Sequence, residues 1–221
     1  MKKTNNISIV LSIAIAILTA DAEPATNRPA GWAQPIEMTG VPNLHKVHDA
    51  LYRSAQPTAE GMRKLKALGV RSVVNLRSFH SDRDEIGNTD LACEHIHMKA
   101  WHPEEEDVVR FLRIVTDTNR TPVLVHCMQG SDRTGTMCAI YRVAVQGWTK
   151  TQAIREMTDG GFGFHEAWVN LPPWIRDLDI EAIRKQAGIG STKQAESTVP
   201  VKAAPSASST AGDSRRSQRK E

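Results

Sequence analysis

The apolar positions of this chain follow two periods, and the periods alternate along it. Val123-Leu-Val-His126 is a short apolar run with β-branched character and reads as a buried strand. Val70–Leu76 reads as a second core strand, and Cys93–Met98 alternates apolar and polar as a third. Val47–Ser54 predicts the first strands, with a turn near His48-Asp49. Other segments carry the helical period. Met62, Leu65 and Leu68 form a stripe opened by Thr58 as N-cap and closed by Gly69. Val108, Phe111, Leu112 and Val115 form another, with Pro103 at the first helical position and Glu104-Glu105-Glu106 suiting a helix N-terminus. Thr134–Gln146 predicts a helix ended by Gly147, and Thr149-x-x-Gln152 is a capping box for a helix through Met157. Trp174, Leu178 and Ala182 mark one last helix ending near Gly188. Arg77–Asp90 is polar and reads as a loop or broken helix. Gly160–His165 is a Gly-rich loop. Strands alternating with helices imply an α/β fold, a central, mostly parallel sheet flanked by helices. In such sheets sites lie at the carboxyl ends of strands, which is where Cys127 falls.

The two ends break this pattern. Lys2-Lys3, the apolar run Ile7–Leu18 and Ala20-Asp21-Ala22 have the form of a secretory signal peptide over residues 1–22. The run is short for a membrane span, and an uncleaved inner-membrane anchor is the alternative. Export to a bacterial periplasm is the expectation, with no stable membrane insertion after cleavage. Residues 23–45 read as an N-terminal arm, with Trp32 and Ile36 available to pin it, and residues 46–187 as the domain. Residues 188–221 are rich in Ser, Thr, Ala, Lys and Gln, cannot bury a core, and read as a disordered tail. The 221 residues thus suggest one domain plus extensions, and a monomer. A net charge of +3, partly at the two ends, gives no argument for nucleic acid. The three cysteines are Cys93, Cys127 and Cys138, an odd number that leaves a free thiol. Cys93 and Cys138 are expected as buried core residues rather than a disulfide.

The chemistry concentrates between the Val123–His126 strand and the helix after it, in Cys127-x5-Arg133 with Gly130 between. A tight strand-to-helix loop turns backbone N–H groups into one concavity, an anion site. The same field favours a thiolate over a thiol. An Arg six positions on can bend back and grip two oxygens of a phosphate. The stretch resembles the His-Cys-x-x-Gly-x-x-Arg-[Ser/Thr] signature of cysteine-dependent tyrosine and dual-specificity phosphatases, matched by His126, Cys127, Gly130, Arg133 and Thr134. Leu51-Tyr-Arg-Ser-Ala-Gln-Pro57 and Gly69–Arg77 are similar to the N-terminal half of atypical dual-specificity phosphatases, so the likeness runs from Leu51 to about Ala182. It implies a dual-specificity-like fold, Cys127 as nucleophile of a phosphocysteine intermediate, and Arg133 as clamp. It implies phosphate binding by Met128, Gln129, Gly130, Ser131, Asp132 and Arg133. His126 would orient the loop and support the thiolate; Thr134 would bond the leaving sulfur or cap the helix.

The general acid departs from the resembled pattern. The loop His97–Pro103, where the family carries an Asp, holds no carboxylate, and Lys99 falls near its place. Asp132, inside the Cys127 loop as in myotubularin-like and some secreted bacterial phosphatases, is the first candidate. Glu104, Glu105, Glu106, Asp107 and then His102 follow. His165, Trp168 and Asn170 fall where the family flanks its pocket. His95-x-His97 could place two imidazoles on one strand face, but no third ligand is evident, so no metal is expected, and no cofactor. Met128, Gln129 and Ser131 are neutral, which favours a phosphorylated protein or a small phosphoester over phosphoinositides and inositol phosphates. A phosphate-binding pseudoenzyme and a rhodanese-like sulfurtransferase are the rivals from other classes.

Overall fold

The computed structural model describes residues 28–190. Six strands form one mixed sheet in the order β1-β2-β3-β6-β4-β5. They are β1 Gln34–Pro35, β2 His45–His48, β3 Leu51–Ser54, β4 Ser72–Asn75, β5 Ala92–His95 and β6 Val123–His126. β3, β6, β4 and β5 run parallel, while β1 and β2 join antiparallel at the β3 edge. Each parallel step is a strand–helix–strand unit, which keeps the connecting helices on the sheet faces. β6 has neighbours on both sides and is buried throughout, as its apolar run requires.

Alternation along β6 divides the core. Val123 and Val125 face one layer with Leu51, Val74 and the inward side chains of helices α3 to α7. Leu124 faces the other with Tyr52, Val73, Met62 and Leu65. The helices are α1 Ala59–Leu68, α2 Arg83–Ile86, α3 Glu105–Thr116, α4 Asp132–Ala144, α5 Lys150–Asp159, α6 Leu171–Asp177 and α7 Ile180–Ala187. α1 starts at the Thr58 cap and ends at Gly69 in the left-handed conformation, φ 101°. The Thr149–Gln152 capping box is formed at the start of α5.

Several expectations shift. α3 begins at Glu105 with Glu104 as its cap, so Pro103 precedes the helix rather than opening it. α4 begins two residues earlier than Thr134, at Asp132. The single last helix is two: Leu178 leaves the helical conformation and Asp179 caps a new start by accepting from Ala182 N. The inward positions there are Ile175, Leu178, Ile183 and Ala187; Trp174 and Ala182 are only partly buried. Residues 34–48 contribute two strands to the sheet. Cys93 is exposed, not buried, because β5 is the sheet's edge strand. Cys138 is buried, and neither is in a disulfide. Among the described residues no helix is long and apolar enough to cross a membrane. The signal-peptide segment and nearly all of the tail fall outside the described residues.

Candidate active site

Strand register assembles the site. Ser54 and Asn75 both pair with His126, so the ends of β3 and β4 flank the Cys127–Ser131 loop. Every carbonyl of the loop from Met128 to Ser131 is engaged. Met128 O accepts from Gln56 N at 3.2 Å, Gln129 O from Asn43 Nδ2 at 3.0 Å. Gly130 O accepts from a buried Arg53 guanidinium nitrogen at 2.6 Å, and Ser131 O from Gly135 N at 2.7 Å. Because C=O and N–H of a peptide unit point opposite ways, carbonyls held outward turn the following N–H groups inward. Gly130 N donates to Cys127 Sγ at 3.3 Å. Gly130 has φ +72°, and a Cβ there would lie 2.5 Å from Ala55 N, so only glycine fits.

Two charged groups behind the loop escaped the sequence reading. His126 is fully buried; its Nε2 lies 2.7 Å from Asp82 Oδ2 and its Nδ1 3.2 Å from Cys127 O. Burial would raise the Asp82 carboxyl, but bonding and charge from His126, the Gln56 amide and His80 outweigh it and hold it below the ordinary carboxylate value. Arg53 is buried beneath the loop with its guanidinium 3.6 Å over the Phe162 ring. A cation among the apolar residues of β3 was the available signal for Arg53. Asp82 lies in a polar stretch that carried none.

Arg133 lies at the start of α4 and donates to Leu76 O at 3.2 Å. Thr134 Oγ1 is buried without a hydrogen-bond partner among the described residues, so it caps nothing. Burial pushes the Cys138 thiol up to about 11, and desolvation of the sulfur with the charges of Asp82 and Glu94 does the same to Cys93, although that residue as a whole is exposed.

A cleft of about 270 Å³ opens beside the loop, lined by Arg77, Ser78, Phe79, Ala100, Trp101, Met128, Gln129, Asp132, Arg133 and Trp168. Its rim is apolar: Phe79 is 98% exposed, Trp101 62% and Met128 61%. Asp132 supplies the only carboxylate among these lining residues. It accepts from His165 N at 2.9 Å and lies 2.9 Å from His165 Nδ1. Glu104, Glu105 and Glu106 are exposed, and none of them, nor Asp107 or His102, lines the cleft. Lys99 instead bridges to His102, and Asn170 Nδ2 donates to Ala100 O at 3.0 Å. His95 and His97 stack with ring centroids 3.9 Å apart, and their nitrogens meet the carbonyls of Arg77 and Ser78, which line the cleft. His80, Asp82 and Glu85 bring ligand-type atoms within 4.8 Å of one another, although Asp82 is already shared with His126 and Gln56.

A protein family described as DSP-PTPase phosphatase fused to NAD+ kinase matches residues 36–167. The chain belongs to the dual-specificity-like protein tyrosine phosphatase family. Dual specificity protein phosphatase TpbA of Pseudomonas aeruginosa is 35% identical over 166 residues, 74% of each chain. Inositol diphosphatase DSP3 of Arabidopsis thaliana is 28% identical over 152 residues, 65% of this chain and 73% of that one. A crystal structure of a P. aeruginosa TpbA variant in complex with pTyr superposes with a TM-score of 0.65 at 33% identity, over 74% of this chain and 99% of that one. The chain is therefore a phosphatase, a hydrolase of phosphoric monoesters. Its family separates it from rhodanese-like sulfurtransferases.

Proposed function

We propose that this phosphatase works through a phosphocysteine intermediate on Cys127, and that its substrates are phosphotyrosyl or dual-specificity protein sites. The observation that carries the reading is the loop itself, with outward carbonyls and Gly130 N donating to Cys127 Sγ at 3.3 Å. In the proposed sequence the Cys127 thiolate attacks phosphorus and the phosphorus–oxygen bond to the leaving group breaks. The inward N–H groups of Gln129 to Asp132 and the Arg133 fork hold the equatorial oxygens. Asp132 protonates the leaving oxygen, and water then releases phosphate and restores the thiolate. The orphan hydroxyl of Thr134 is free to bond the leaving sulfur. His126 supports the loop through Asp82. No metal or cofactor enters this scheme.

The apolar rim of Phe79, Trp101 and Met128 supports an aromatic leaving group, because a flat ring buries there without stranding polar atoms. The Arabidopsis relative named as an inositol diphosphatase favours a second reading, an inositol phosphate substrate. A panel of phosphotyrosine and phosphoserine peptides, phosphoinositides and inositol phosphates decides between them. The Cys127→Ser variant is expected to lose turnover on every member yet still bind phosphate or vanadate, since the amides and Arg133 remain. Aryl-phosphate turnover by that variant above a few per cent of wild type would remove Cys127 as nucleophile.

A further inference from the structure

We propose that Asp132 and His165 act as one acid–base pair, with Asp132 the catalytic proton carrier and His165 a positioning residue that shares its proton. The inference rests on the phosphocysteine reading above and deepens it. The loop before α3 is not poised to bring in an acid. Met98 O accepts from Ser78 Oγ at 3.2 Å and Ala100 O from Asn170 Nδ2 at 3.0 Å, while Met98 and Ala100 are buried. The carboxylates opening α3 stand away from the cleft. Asp132 does line it, nearly buried, at the first turn of α4.

The His165 backbone N–H donates to Asp132 Oδ1 at 2.9 Å. The His165 imidazole makes a second contact. Its Nδ1 lies 2.9 Å from Asp132 Oδ2, and its side chain is 41% exposed, in reach of solvent protons. One transferable proton can sit on either member of this hydrogen-bonded pair. It resides as imidazolium beside carboxylate or as carboxylic acid beside neutral imidazole. From the acid form, the proton on the Asp132 carboxyl passes to the leaving oxygen as the phosphorus–oxygen bond breaks. Carboxylate beside a neutral imidazole remains. When water attacks the phosphocysteine, its proton returns to that carboxylate as the phosphorus–sulfur bond breaks.

The pair is held rigidly. His165 ends the Gly-rich loop, which is stapled to the phosphate loop. Ser131 Oγ donates to Phe162 O at 2.8 Å, and Asn43 Nδ2 spans Phe162 O and Gln129 O at 3.0 Å each.

The test compares phenyl phosphate, whose basic phenolate needs a proton, with nitrophenyl phosphate, whose leaving anion needs little. A hydrogen bond to a charged group is worth about tenfold or more in rate, so His165→Ala should lose about that factor in kcat/KM on phenyl phosphate. The loss on nitrophenyl phosphate should be much smaller. Asp132→Asn should show a larger gap of the same kind, and the double variant should lose no more than Asp132→Asn alone. His165→Asn, whose amide nitrogen takes the place of Nδ1, restores the bond but not the proton and should fall between His165→Ala and wild type. Equal losses on both substrates, or losses that multiply in the double variant, would overturn the pair. Wild-type rates in His165→Asn would reduce His165 to a strut and overturn its share of the proton. Rapid-quench trapping of phosphocysteine separates the two levels. Absence of the intermediate sinks the underlying mechanism, whereas a normal intermediate with uniform losses sinks only the pair.

Discussion

At the residue scale, His126 and Asp82 form a buried pair behind the Cys127–Ser131 loop. Both ring nitrogens face acceptors, the Asp82 carboxylate and the Cys127 carbonyl, and neither side chain reaches solvent. A buried pair that loses one partner strands the other, at a cost of about 3–5 kcal/mol. Asp82→Asn is therefore expected to lower the unfolding free energy at neutral pH by that order, read from denaturant midpoints. The pH dependence has a definite sign. The folded carboxyl lies below its ordinary value, so its contribution is present above the unfolded carboxylate range, about 3.9, and is lost as pH falls through the lowered folded value. Asp82→Asn should flatten that acid limb, and an unchanged limb would mean that other carboxylates drive acid unfolding. The Cys127–Arg133 loop was legible because seven consecutive positions hold it, Gly130 and Asp132 included. Asp82 and Arg53 were not, since their roles depend on partners 44 and 77 residues away.

At the element scale, the strand was legible to the residue and the helix to within two residues at each end, because β6 is a short apolar run and α4 is followed by Gly147. Boundaries set by caps were less so. Leu178-Asp179 reads as helix interior by period, yet the Asp179 side chain caps a new start and turns α7 onto α3. That turn places Ile183 and Ala187 in the main core and lets Arg113 donate to Gln186 O at 2.7 Å. Removing a buried isoleucine side chain costs about 2–5 kcal/mol, so a chain ending at Asp179 should be markedly less stable than one ending at Gly190. Thermal melts of the two truncations check this. Equal melting temperatures would mean that α7 is dispensable to the core.

At the scale of the whole molecule, the sheet order brings three loops to one end and leaves their apolar side chains ringing a single cleft. The bounds inferred from sequence remain proposals: a signal peptide over residues 1–22, a phosphatase domain ending near 187 and a tail beyond it. We propose export to a periplasm and a monomeric enzyme. Intact-mass measurement of periplasmic material should give a start near Glu23. Recovery of only full-length, membrane-bound protein would make the segment an anchor instead.

The amino-acid sequence by itself determined the α/β alternation, the place of the Cys127–Arg133 loop between strand and helix, and the family. Each of these depends on residues within about a dozen positions, where period, cap and turn chemistry act directly. Tertiary structure alone decided the order of the six strands, the carboxylate that meets His126, the guanidinium under Gly130 and the pairing of Asp132 with His165. These contacts join segments that only strand register and helix packing bring together. A local pattern records that a polar side chain is present, but not which buried partner the closed fold will set against it.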